Sequence, residues 1–418
     1  MTSKASSPAR THSLLLIAAC WLVYMAAYVG RNTFKASIAP IVAAGFLTNA
    51  QAGLIETFYF VTYGAGHLIN GLLAQRLNPY KMVGIGLVGS ALANLVMAVS
   101  TSYPVMLLVW ALNGYLQAML WSPILAIFSR VILPDMQEMA SFRIFTSSPI
   151  GTILAYLLVT LTADLDYRIT FYAAAALLIP VALFFLFTAR RAAPHLRPWQ
   201  REAAEQNGTS AKAQPILPLI LTTGVPMLVL ATVMHGMLKE GVLTWVPSLI
   251  SDTYPVDVSF SVLLSMLLPL SNLCGAYLSK LTYSRLFRRN EAITACFFLL
   301  LSTLPILAVS FMSALPLPVA VICLALISLL MTSFNYMVST VIPMRFAADG
   351  HTATFSGIFN SSVYLGSAIS TYLSGDLADR FGWGVTVMSW LGIALAGALI
   401  LIPAILLWRR FLKRSEAH

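Results

Sequence analysis

Twelve times along its 418 residues the chain enters an apolar stretch with few or no charges. Each runs to about 20 residues, enough to cross ~30 Å of hydrocarbon as a helix. Water is absent there, so backbone groups must bond within the segment, and helices are the form that such stretches take. The stretches fall at 13–38, 51–74, 82–100, 104–130, 141–163, 168–189, 216–250, 259–280, 292–312, 317–342, 354–377 and 384–408. The seventh is too long for a simple crossing and predicts a lead-in or a break near Pro226. Only 10% of residues are charged, against roughly 25% in soluble domains. The fold class that follows is an all-α polytopic membrane protein with twelve transmembrane helices.

The net charge of +10 raises nucleic acid as a partner, and its distribution argues against that. Most Lys and Arg fall in one alternating set of loops and tails, with Arg168 and Arg380 in the other set. This asymmetry predicts cytoplasmic termini. One long polar segment, 190–214, reads as a cytoplasmic linker between a six-helix bundle at 1–189 and a second at 215–418. Cys20, Cys274, Cys296 and Cys323 lie singly in apolar runs and read as small buried hydrophobes.

The most informative stretch is 24–40, the second half of the first span. On a helix Tyr24, Tyr28, Arg31 and Lys35 fall within roughly 40° of one another. A charge at membrane depth costs about 2.5–3.5 kcal/mol unless it faces a protein interior or a wet cavity. The stripe therefore predicts a positively charged cavity, with the planar fork of Arg31 suited to phosphate or carboxylate. Lys35, nearer the helix end, also reads as a residue reaching toward the interface.

Other spans carry stripes of their own. Glu56, Tyr63, His67 and Asn70 share a face of the second, and Asn113, Gln117 and Trp121 follow one another in the fourth. Arg143 and Ser147 are paired in the fifth, His235 and Lys239 in the seventh. The tenth offers Thr332, Asn335, Tyr336 and Ser339; the eleventh offers Asn360, Tyr364, Ser367 and Thr371. Single Ser, Thr or Asn residues in such positions usually bond helices together. Charges differ: Arg31, Lys35, Arg143 and Lys239 against Glu56 and Glu240 leave an excess of +2 (four minus two), for which an anionic ligand is a natural partner. Glu240 sits ~100° around the helix from Lys239 and reads as a charge balance or a proton carrier. Glu56, His67 and His235 are the other proton-carrier candidates, and Arg143 reads equally as a gating residue. No nucleophile motif, metal-ligand spacing or phosphate-binding glycine loop is visible in the sequence, which predicts no enzyme, cofactor or metal site.

The halves look like parallel repeats: Arg31 plus 208 is Lys239, and each cation precedes a proline, Pro40 or Pro247. Tyr28-Val-Gly-Arg31-Asn-Thr-Phe34, Asn113-Gly-Tyr-Leu-Gln117-Ala-Met-Leu-Trp121, Leu238-Lys239-Glu240-Gly241 through Trp245-Val-Pro247, and Phe381-Gly382-Trp383 occur in order along the chain. Together they resemble motifs of the organophosphate:phosphate antiporter family of the major facilitator superfamily. The resemblance implies two six-helix halves and alternating access, with Arg31 and Lys239 binding an anion from opposite halves. From the polar stripes, Tyr24, Tyr28, Lys35, Gln117, Trp121, Asn335, Asn360 and Tyr364 are the further substrate-binding candidates. Lys239 departs from the family, whose second clamp is arginine, and Ser147 stands near a position where some members carry histidine.

The expected function is secondary transport of a small organic anion, a phosphorylated metabolite in first place, by antiport with inorganic phosphate or by proton coupling. A monomer in a bacterial inner membrane is expected, with lipid and substrate as partners. The rival is a membrane receptor that senses an organophosphate and signals to a partner protein; short tails without an added domain favour the transporter.

Overall fold

The computed structural model describes residues 7–162, 165–206, 216–287, 290–346 and 351–415, and among them every regular element is helical. The long rods are α1 (Ser7–Ala43), α2 (Asn49–Arg76), α3 (Pro79–Val99), α4 (Tyr103–Arg130), α5 (Pro134–Thr162), α6 (Tyr167–Gln206), α7 (Val225–Thr253), α8 (Val258–Leu286), α9 (Glu291–Val309), α10 (Leu317–Met344), α11 (352–381) and α12 (383–415). Ten stretches among the described residues are long and apolar enough to cross a membrane. The tenth, Thr354–Leu412, runs through Gly382, whose φ of 79° divides it into α11 and α12. With 28 residues, α2 is also long enough, but its polar stripe keeps it out of those ten. The chain is a multi-pass integral membrane protein.

Local signals explain where the rods begin. The Asn78 side chain accepts hydrogen bonds from the N–H groups of Tyr80 and Lys81, and Pro79 opens α3. Asn290 caps α9 through the N–H of Ile293. Gly224, at φ 78°, breaks the long seventh stretch into a short helix, Ile216–Thr223, and α7. The break thus falls two residues before Pro226, because glycine accepts the left-handed conformation while proline fits a first helical turn.

The helix α6 runs into the segment 190–214 and stays helical to Gln206, since its Ala, Arg, Glu and Gln content favours helix. Residues 207–215 lie outside the described residues. Cys20 and Cys296 are buried, Cys323 is half-buried, but Cys274 is exposed. An exposed thiol is compatible with a surface that is itself apolar: Leu108, Leu161, Leu183, Leu304 and Leu399 are all more than 60% exposed. That pattern, greasy outside and partly polar inside, is what a lipid-facing bundle requires.

Two compact units form, Met1–Pro40 with Thr62–Ser210, and Ile41–Val61 with Ala211–His418. In the first, α1 and α3–α6 enclose a core that includes Leu16, Val23, Leu87, Ile124, Phe128 and Phe185. Polar side chains set its register. Gln117 Nε2 donates to the Ala27 carbonyl (3.1 Å) and to Ser90 Oγ (2.9 Å), tying α4 to α1 and α3. Asn94 Nδ2 donates to the Gly30 carbonyl at 3.2 Å, and Asn32 Nδ2 to Thr152 Oγ1 at 3.1 Å.

In the second unit α7 and α11 approach backbone to backbone. A Cβ on Gly236 would collide with the Val363 carbonyl, and one on Gly366 with the Val233 carbonyl. Two indoles brace the same region: Trp245 Nε1 donates to the Thr371 carbonyl (3.1 Å) and Trp390 Nε1 to Ser374 Oγ (3.1 Å). Trp383, from the motif that opens α12, donates to Asp252 Oδ2 at 2.8 Å. The start of α2 belongs to this unit. Asp379 accepts from Asn49 Nδ2 at 2.8 Å and from the Ala50 N–H at 2.7 Å, and Thr57 Oγ1 donates to the Ala368 carbonyl at 2.6 Å.

Candidate functional site

In the first unit the stripe predicted on α1 is assembled as spacing demands, and α2, α4 and α5 add to it. The Arg31 guanidinium lies over the Tyr28 ring (5.1 Å to the centroid) and the Tyr63 ring (4.6 Å). A ring face attracts a guanidinium, and the fork of N–H groups on a guanidinium matches the geometry of a planar or tetrahedral anion. Tyr24 packs on Tyr28 (5.2 Å) and on Trp121 (5.0 Å), and Trp121 packs on Phe145 (5.9 Å). His67 meets the Tyr63 ring edge-on at 4.5 Å. Gly151 of α5 sits so close to α1 that a Cβ there would strike Met25 and Tyr28, which holds the tyrosine in place.

Arg31 and Lys35 are both buried, at 8% and 3% exposure, and they are the only buried charged residues of this unit among those described. Desolvation makes two buried cations one turn apart expensive. Arg143 differs: its side chain is exposed, so the buried charge excess read from sequence shrinks. Gln117 is spent on helix packing, as described above, and Ser147 is buried with its hydroxyl on the Ile144 carbonyl.

In the second unit α7 carries the counterpart. Lys239 is half-buried and its Nζ stands 3.4 Å from Glu240 Oε1. Neighbours ~100° apart on a helix meet here because the lysine stem is long enough to swing toward the carboxylate. One turn back, buried His235 stacks on Phe334 of α10 (4.5 Å) beside Asn335. Asn335 Oδ1 accepts from Ser339 Oγ at 3.3 Å. On α11, Asn360 Nδ2 donates to the Ser356 carbonyl at 2.9 Å, and Tyr364 follows one turn on, half-buried. Lys239, His235 and Asn335 are thus gathered, while Asn360 is bonded within its own helix. Glu56, in the part of α2 that packs with this unit, is buried.

One charged centre escaped the sequence reading. Glu291 is fully buried at the start of α9. Its Oε1 accepts from Arg345 Nε and from Tyr283 OH, each at 2.7 Å, and its Oε2 from Trp408 Nε1 at 2.9 Å. An acidic residue in a first turn reads as a helix-dipole partner, and nothing local in the sequence announces partners 54 and 117 positions away.

The sequence profile of the Major Facilitator Superfamily matches residues 20–371. The chain belongs to that superfamily. Among curated proteins, this major facilitator protein is similar to the membrane sensor protein UhpC of Salmonella typhimurium strain LT2, 24% identical over 295 residues that cover 68% of this chain and 66% of the sensor, just under two thirds of its length. It is also similar to a probable hexose phosphate transport protein of Chlamydia trachomatis serovar D, 28% identical over 103 residues, 25% of this chain and 23% of that one. Its fold matches the inward-facing, unoccupied crystal structure of a bacterial homologue of the human lysosomal transporter Spinster. The TM-score is 0.75 at 16% identity, over 98% of this chain and 99% of the other.

Proposed function

We propose that this protein is a secondary transporter, not an enzyme, that carries a small organic anion, a phosphorylated metabolite in first place. The observation that carries this reading is the buried pair Arg31 and Lys35 with its aromatic surround. Arg31 in the first unit and Lys239 in the second are the anion-recognition residues, with Tyr24, Tyr28 and Trp121 around the former and Asn335, Asn360 and Tyr364 on the helices near the latter. His235 with Glu240 is the candidate proton-coupling group, and exchange for inorganic phosphate the other coupling mode. The Lys and Arg distribution supports cytoplasmic termini in a bacterial inner membrane, and the two bundles are those of a monomer.

The similarity to a sensor supports a second reading, in which the same cations bind an organophosphate as a signal. Counterflow separates the two. Vesicles carrying the purified protein and preloaded with unlabelled hexose phosphate are expected to accumulate the labelled compound. Saturable binding without counterflow would establish the sensor instead.

Lys239 and Glu240 predict selectivity. A lysine is a point charge that cannot make a bidentate fork. A carboxylate ~6 Å from a second negative charge costs on the order of 2–3 kcal/mol at an effective dielectric near 20. Inorganic phosphate dianion is therefore expected to compete weakly against labelled substrate. Competition should strengthen in Lys239→Arg and strengthen further in Lys239→Arg with Glu240→Tyr, measured across pH. Equal competition in wild type and the double variant would remove both residues as selectivity determinants.

A further inference from the structure

At the end of the second unit where α8 turns into α9 lies a cavity that shares no residue with the Arg31 or Lys239 clusters. Its volume is about 330 Å³ and its lining is Leu286, Phe287, Asn290, Ile293 and Arg409. Three features give it the chemistry of a binding site. First, the frame is fixed. Glu291, Tyr283 and Trp408, each within a few residues of a lining position, join with half-buried Arg345 in one network centred on the fully buried Glu291 carboxylate, which ties the ends of α8, α9, α10 and α12 together. The segment Thr282–Leu286 is wound as a π-helical turn, a rare geometry that recurs at functional sites. An open pocket braced from beneath in this way spares a ligand part of the cost of ordering it.

Second, the charge is of one sign. Arg409 lines the cavity, and Arg285 and Arg410 adjoin lining residues in sequence. All three are exposed, and among the described residues none forms an ion pair. Asn290 uses Oδ1 to cap α9, which leaves its Nδ2 as a donor. Third, the rest of the lining is apolar. Leu286 is 60% exposed, like the leucines of the lipid-facing belt, and Phe287 and Ile293 continue that surface inward.

We propose that this cavity holds the headgroup of an anionic phospholipid, its phosphate on Arg409 and Asn290 and its glycerol end against Leu286, Phe287 and Ile293. Basic pockets between membrane helices suit such headgroups, and each arginine near the surface adds attraction. A soluble anion would gain from Arg409 equally, but it has no use for the apolar rim. The lipid holds the α8–α9 and α12 ends of the unit together from outside, as Glu291 does from within.

Native mass spectrometry of the purified full chain tests the site without any transport measurement, using added phosphatidylglycerol, phosphatidylcholine, and glycerol phosphate as the headgroup alone. Phosphatidylglycerol is expected to be retained in preference to phosphatidylcholine. Retention should fall roughly fivefold in Arg409→Gln, and comparably in Ile293→Trp, which fills the cavity without changing charge. Arg191→Gln, at an exposed arginine lying over Phe187 in the other unit, should bind as wild type does. Undiminished retention in both Arg409→Gln and Ile293→Trp would overturn the site. Displacement of the lipid by an equal concentration of glycerol phosphate would overturn the lipid assignment.

Discussion

Arg31→Ala is expected to abolish binding of the anionic substrate while the protein still inserts and purifies as a single species. The side chain sits over Tyr28 and Tyr63, so its removal exposes two ring faces inside the first unit without breaking the hydrogen bonds of Gln117, Asn94 or Asn32 that hold the helices. Two charge-assisted hydrogen bonds of about 1.5–3 kcal/mol each would be lost, more than a hundredfold in affinity. Arg31→Lys separates charge from geometry. It keeps the cation and loses the fork and the stacking plane, so most binding should still disappear. Isothermal titration on monodisperse variants decides the matter, and wild-type affinity in Arg31→Ala would make Arg31 a structural residue.

The second large effect is on folding. Gly366→Val places branched carbon where the α11 backbone meets the Val233 carbonyl of α7. Overpacking a core usually costs about 1–3 kcal/mol because side chains can shift. Here the obstacle is backbone on a partner helix that is itself pinned by Trp245, and little can move. Yield of monodisperse protein should collapse, and any that survives should melt far below wild type. Gly392→Ala is the control, since a Cβ there meets open space, and it should match wild type in both measurements. Normal yield and melting for Gly366→Val would show that the α7–α11 approach is looser than described.

The two predictions draw on different levels of legibility. Membrane spans are written in the sequence because hydrocarbon imposes one length and one polarity on every crossing, so each apolar stretch falls on an observed rod, and half of them match it to within a few residues at both ends. The Arg31 cluster was also legible. Tyr24, Tyr28 and Arg31 lie on one helical stripe, and Trp121 and Tyr63 were flagged on stripes of their own. What periodicity cannot supply is which partner a polar residue finds. Gln117 has the position of a ligand contact and spends its amide on Ala27 and Ser90. Arg143 looks like an intramembrane cation and is exposed. Glu291 looks like a helix start and is a four-residue network built from helices far apart in the chain. The Gly236 and Gly366 contact is invisible for the same reason, because a glycine reveals its purpose only when the opposing backbone is known.

Substrate competition in vesicles bears most directly on the central claim that a buried cation pair selects an organic anion. Uptake of labelled hexose phosphate by the reconstituted protein would be challenged with phosphate esters, carboxylates, sulfonates and neutral sugars at equal concentration. Phosphate esters are expected to compete best, other anions less, and neutral sugars not at all, with uptake absent in Arg31→Ala. Competition by neutral sugars as strong as by their phosphate esters would contradict it.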